Sequence, residues 1–144
     1  MSVPSNTESV VSVRDSRLSR RLGTVGAVVG AGFIMSVGGG YLFAPQKMAP
    51  GFGFTDWPHP EADGFLNVKG VRDVVTGLVP LALLAAGQRR ATGIALLTLA
   101  IVPTGDMLTI LARRGSTATA LSVHGLTAAL VAATGVLLLR RENR

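Results

Sequence analysis

The 144-residue chain has no cysteine. That excludes a disulfide framework, a thiolate nucleophile, an iron–sulfur site and a thiol redox pair. Aromatic residues are scarce too, with five Phe, one Trp and one Tyr, whereas a water-soluble core leans on large rings. Charge is missing over long stretches. Leu22 to Gln46 holds no formal charge and neither does Gly115 to Leu139, each run being 25 residues. A bilayer core about 30 Å thick needs roughly 20 helical residues, so both runs are long enough to cross it. A soluble enzyme of this size is excluded. The 18 glycines suit closely packed membrane helices.

The chain is rich in positive charge, with 14 Lys and Arg against 8 Asp and Glu and a formal net charge of +6. In a soluble domain that excess raises nucleic acid as a partner. Here the basic residues bunch at the ends of apolar segments, as topology signals and contacts to anionic membrane lipid do. No nucleic-acid partner is expected.

The pattern predicts an all-α fold, a four-transmembrane-helix bundle with spans at about 22–44, 65–87, 91–112 and 118–139. Residues 22–139 form a single membrane domain. Residues 1–21 read as a disordered basic cytoplasmic tail, since their start is Ser, Thr, Val and charge without a helical period; residues 140–144 are a second basic tail. Arg14, Arg17, Arg20, Arg21, Arg89, Arg90, Arg140, Arg141 and Arg144 fall on one side, and only Lys47, Arg113 and Arg114 fall in the opposite connections. The positive-inside rule places both termini in the cytoplasm of a multi-pass cell-membrane protein. Ser19-Arg20-Arg21 hints at a twin-arginine export signal, but the apolar run is too long for a signal h-region and no soluble passenger follows.

The outer connection, Pro45 to Gly64, carries Phe52, Phe54, Trp57 and a Pro58-His59-Pro60 break. It reads as an aromatic interface anchor or as a lid over a site.

Depth is counted from the inner arginines. Asp73 stands 16 residues before Arg89, Asp106 stands 16 after Arg90, and His124 stands 16 before Arg140. At 1.5 Å per residue each lies about 24 Å from the inner anchor. Three helices thus carry Asp73, Asp106 and His124 at one depth, in the outer third of the bilayer. Lys69 shares the helix face of Asp73, and Arg72 points about 100° away from it. Ionisable groups at that depth mark a site facing the bundle interior by default. The bland alternative is a closed network: Lys69, Arg72, Asp73 and Asp106 sum to zero charge, the two cations can snorkel to headgroups, and His124 can donate one interhelical hydrogen bond.

Pro80 and Pro103 free the carbonyls of Thr76 and Leu99, and a kink at Pro103 would open space beside Asp106. Gly26 with Gly30, and Gly32, Ser36 and Gly40, make small-residue stripes on the first span, for packing within the bundle or in a homo-oligomer. Gly38-Gly39-Gly40 loosens the outer end at Tyr41.

A zinc site would use Asp73, Asp106 and His124, but Lys69 and Arg72 repel a cation. One intramembrane His does not make a haem site. No Gly-rich phosphate loop follows a strand, and Ser122 near His124 lacks a nucleophile elbow. No metal or cofactor is expected. What remains is acid–base work by His124 with Asp73 or Asp106, with Lys69, Arg72, Trp57 and Tyr41 as ligand-binding candidates. Three functions follow: binding of a small lipophilic or amphipathic molecule; a cofactor-independent acid–base isomerase, cyclase or oxygenase; or a structural subunit. A proton-coupled transporter would use the same groups.

Val68-Lys69-Gly70-Val71-Arg72-Asp73, Pro103-Thr104-Gly105-Asp106 and Val123-His124-Gly125, with Phe43-Ala44-Pro45 and Gly51-Phe52-Gly53, resemble an uncharacterised family of small bacterial and fungal membrane proteins. That family is a domain of unknown function, similar in layout to DoxX-like four-helix proteins. The resemblance covers roughly Gly26 to Leu139. It implies four membrane helices and brings no activity with it.

Overall fold

The computed structural model describes the backbone of residues 6–56 and 59–140, and side chains from Leu18 onward in those ranges, Ala62 excepted. All regular structure among the described residues is helical: α1 (Asn6–Phe43), α2 (Pro45–Met48), α3 (Asp63–Ala85), α4 (Arg89–Leu99), α5 (Ile101–Ala112), α6 (Thr117–Thr119) and α7 (Leu126–Leu139). A π-helical turn, Ala120–Gly125, joins α6 to α7. Three stretches are long and apolar enough to cross a membrane: Leu18–Phe43, Arg89–Ala112 and Thr117–Leu139. The remaining long helix, α3, has 23 residues and carries Lys69, Arg72 and Asp73 in its first half.

Helix α1 begins inside the stretch expected to be a disordered tail. No glycine or proline interrupts residues 6–22, and extending an established helix costs far less than nucleating one. Helix α3 stops at a Schellman motif: Gly87 takes φ 71°, Gln88 N–H donates to Leu83 O at 2.8 Å and Gly87 N–H to Leu84 O at 2.9 Å. The same motif ends α5 with Arg114 at φ 55°, where Gly115 N–H donates to Ile110 O. The two prolines behave differently. The helical hydrogen-bond pattern lapses for one residue at Ala100, between α4 and α5, where Pro103 leaves the carbonyl of Leu99 without its helical donor, while Ala100 keeps helical angles. Pro80 leaves α3 uninterrupted, with its ring buried.

The bundle is a ring. α1 packs on α3 and α7, and α4 packs on α7 and α3. Ala27, Leu96 and Leu138 form its buried centre, with Leu84 and Val131 against them. At one end Arg89 Nη1 donates to Arg20 O at 3.2 Å and Gly23 lies against Leu138. At the other end Ser116 N–H donates to Gly53 O at 2.8 Å. Long helices therefore alternate in direction.

Small residues set the spacing. A Cβ on Gly38 would sit 2.7 Å from Gly70 O, and one on Gly77 would sit 2.5 Å from Met35 Cγ and 2.7 Å from Ala31 O. Large apolar side chains such as Val25, Val29, Phe33 and Leu130 lie outside, the reverse of a water-soluble protein. The first-span stripes divide. Gly26 meets Thr134 and Gly40 meets Met48 within the chain, while Gly30 and Gly32 meet nothing within 4 Å.

Gly77→Ala is therefore expected to cost about 1–3 kcal/mol, the usual range for overpacking. Gly30→Ala, into open space, should be neutral or stabilising. Reversible unfolding in detergent micelles checks both; equal losses would contradict the tight crossing.

Candidate functional site

The first turns of α3 place Lys69 and Asp73 one helical turn apart, and they meet at 2.5 Å. Asp73 is buried, 7% exposed. Lys69 needs more than one partner for its ammonium, and aromatic faces supply the rest. Its Nζ stands 4.4 Å from the Tyr41 ring centroid and 5.2 Å from that of Phe52, within cation–π range. Tyr41, 3% exposed, donates its hydroxyl to Met48 O at 3.3 Å. Asn67 holds the end of α1 from beside this site, donating to Tyr41 O at 2.9 Å and Leu42 O at 3.2 Å. Those are carbonyls that a helix C-terminus leaves unpaired. Gln46 hydrogen-bonds Asp63, tying the start of the connection to the start of α3.

Phe52 comes from the connection, not from a span. Its ring stacks on Phe54 with centroids 5.4 Å apart and meets the His124 ring edge-on at 4.7 Å. Two glycines allow this insertion. Gly53 adopts φ 112°, a region that side chains avoid, and a Cβ on Gly115 would sit 2.5 Å from Gly53 O. The connection thus packs Phe52 against the bundle.

His124 is 8% exposed and sits in the π-helical turn, a feature frequent at functional sites. Its Nε2 lies 3.0 Å from Phe52 O. A carbonyl only accepts, so Nε2 carries hydrogen and donates. Nδ1 then faces Asp106 Oδ2 at 3.6 Å, within ion-pair reach but too long for a hydrogen bond. With Nε2 as the donor, Nδ1 presents its lone pair toward that carboxylate. The Asp106 side chain keeps 33% of its surface exposed and that of Lys69 keeps 27%.

A chain of contacts therefore runs from Asp73 through Lys69 and Phe52 to His124 and Asp106, with Tyr41 a second ring beside Lys69. Arg72 is not part of it. It is exposed on the other side of α3 and has no hydrogen bond or ion pair among the described residues. That alters the charge balance expected from the sequence. Lys69 and Asp73 pair with each other, which leaves Asp106 facing His124 instead of a Lys or Arg. Trp57 lies outside the described residues. Among those described, no three His, Asp or Glu side chains gather as a metal site would need. Sequence reasoning did not find the carbonyl of Phe52 or that of Met48; the flanking Gly51 and Gly53 mark an unusual turn without saying what it touches.

Residues 23–138 match the family described as Domain of unknown function (DUF4267), and the chain belongs to it. No curated protein and no solved structure matches the chain.

Removing one partner of the Lys69–Asp73 pair should strand a buried charge. Lys69→Met is expected to cost about 3 kcal/mol, the low end for breaking a buried pair because Lys69 keeps some solvent contact. The double substitution Lys69→Met/Asp73→Leu should recover most of that loss. Unfolding free energies around the double-mutant cycle check this; additive losses would show that the two residues do not act as a pair.

Proposed function

We propose that this member of the family crosses the membrane four times, with α3 as the second span and both termini in the cytoplasm. In this reading it binds a small lipophilic or amphipathic molecule at the polar layer near the outer surface. The observation that carries the binding reading is the incomplete closure of the layer. Asp73 is buried and matched, whereas Asp106 keeps a third of its side chain open beside an imidazole that stands too far away to hydrogen-bond it. A structural network gains nothing from an open carboxylate at that depth, where unpaired ionisable groups are costly.

The charge balance selects the ligand's chemistry. With Arg72 turned away, the layer offers acceptors and one caged cation, so it suits a head group that donates a hydrogen bond, such as a long-chain alcohol or phenol. A second reading draws on the tautomer of His124. With Nε2 held by Phe52 O, the Nδ1 lone pair beside Asp106 can take a proton from a lipophilic substrate and return it. That supports a cofactor-independent enzyme such as an isomerase.

Reporter domains fused after Arg144 and inserted beside Asp56 are expected on opposite faces of the membrane; signals from the same face would overturn the four-span topology. Diazirine-tagged hexadecanol in lipid nanodiscs should crosslink near Phe52 and Asp106. Asp106→Leu should weaken that labelling about tenfold, as loss of one hydrogen bond to a charged group does. Labelling unchanged by Asp106→Leu argues against the binding site. For the enzyme reading, the wild type in D2O should place deuterium on the α-carbon of 2-tridecanone, and His124→Gln should abolish this while keeping the hexadecanol crosslink.

A further inference from the structure

The inward face of α3 is Gly70, Asp73, Gly77 and Pro80, all buried. Its outward face repeats with the same helical spacing: Phe65, Val68, Arg72, Val75 and Val79, all exposed. Phe65 is 77% exposed. Four of these five are apolar side chains of the kind a bilayer covers. The fifth is a guanidinium with no hydrogen bond or ion pair among the described residues. Intramembrane arginines almost always turn toward the bundle interior, and Arg72 does the reverse. No described carboxylate pairs with it, and Lys69 already holds Asp73, so an anion of the bilayer is the partner to weigh.

Direction and shape identify that anion. Helical side chains lean toward the N-terminus of their own helix. The N-terminus of α3 is Asp63, at the end of the Pro45–Gly64 connection. Arg72 therefore leans toward the nearer membrane surface, with Val68 and Phe65, one and two turns above, to carry its methylene stem. The planar fork of arginine takes two phosphate oxygens at once. Below Arg72 the stripe continues as Val75 and Val79 without a second polar group, which suits an acyl chain better than a polar partner helix.

We propose that Arg72 is a phospholipid site. It grips the phosphate of a lipid in the leaflet on the side of the Pro45–Gly64 connection, with an acyl chain along Val75 and Val79. The site rests on α3 crossing the bilayer and is independent of what the inner layer binds.

Native mass spectrometry of the full chain released from dioleoylphosphatidylcholine nanodiscs tests it. The wild type should retain a phospholipid through partial delipidation. R72M should lower that occupancy at least about tenfold, the loss of a charge-assisted contact, and R72K should fall between the two. Millimolar inorganic phosphate should not displace the lipid. R72M only extends an apolar outer face and is expected to fold, which circular dichroism checks; if it does not fold, wild-type retention by R72K overturns the two-oxygen grip. Equal occupancy in wild type and R72M overturns the proposal. Displacement by inorganic phosphate makes this a free-anion site instead, and a wild-type dimer that R72M dissolves makes the anion a carboxylate of a second copy. Reporters on one face would defeat the topology, whereas failed lipid discrimination with the topology intact defeats this site alone.

Discussion

A charged group can stay at membrane depth only if something beside it carries the opposite charge or a matching dipole. Asp73 and His124 are buried on different helices, and each is satisfied by a different kind of partner. Asp73 takes the ammonium of Lys69 from its own helix. His124 takes a backbone carbonyl from the connection. The Phe52 ring lies between the two arrangements, touching Lys69 on one side and His124 on the other. Without that carbonyl, His124 Nε2 would lose its hydrogen-bond acceptor.

Residue size follows the helix crossings. Glycine lies at the crossings of α1 with α3 and of α4 with α7, where Gly38 faces Gly70 and Gly93 faces Gly135. Lipid tails provide no hydrophobic force to draw helices together, so close backbone approach and dispersion replace it. Gly53 and Gly115 do for the connection what the helix glycines do for the spans. The scarcity of aromatic residues and the abundance of glycine are consequences of one packing scheme.

The same geometry separates two cations that stand three residues apart in the chain. Lys69 turns in and is caged by a carboxylate and two rings; Arg72 turns out and meets none of them. The difference suits their chemistry. A compact ammonium fits a cage and is neutralised by one carboxylate, whereas a guanidinium is weakly hydrated and shaped for a phosphate. The inner layer is left with Asp106 as its open group, and the outer face of α3 with a cation that has no ion pair among the described residues. Membership of a family of unknown function adds no chemistry to either, so both readings stand on geometry.

Much was legible in the chain itself. Charge-free runs of 25 residues dictate membrane-length helices, because a backbone in lipid must satisfy its own hydrogen bonds. An i, i+4 step on one helix brings Lys69 to Asp73. Helical phase also turned Arg72 away from Asp73, although charge counting drew it back into the layer. The helical start of α1 was not legible, because propagation from a membrane helix overrides a weak local pattern. Nor was the role of the connection, for Gly51-Phe52-Gly53 signals a turn but not its destination. A backbone carbonyl is present at every residue and leaves no mark in the sequence. Only the packed bundle decides that the carbonyl of Phe52 is the one that meets His124, and so which imidazole nitrogen is left facing Asp106.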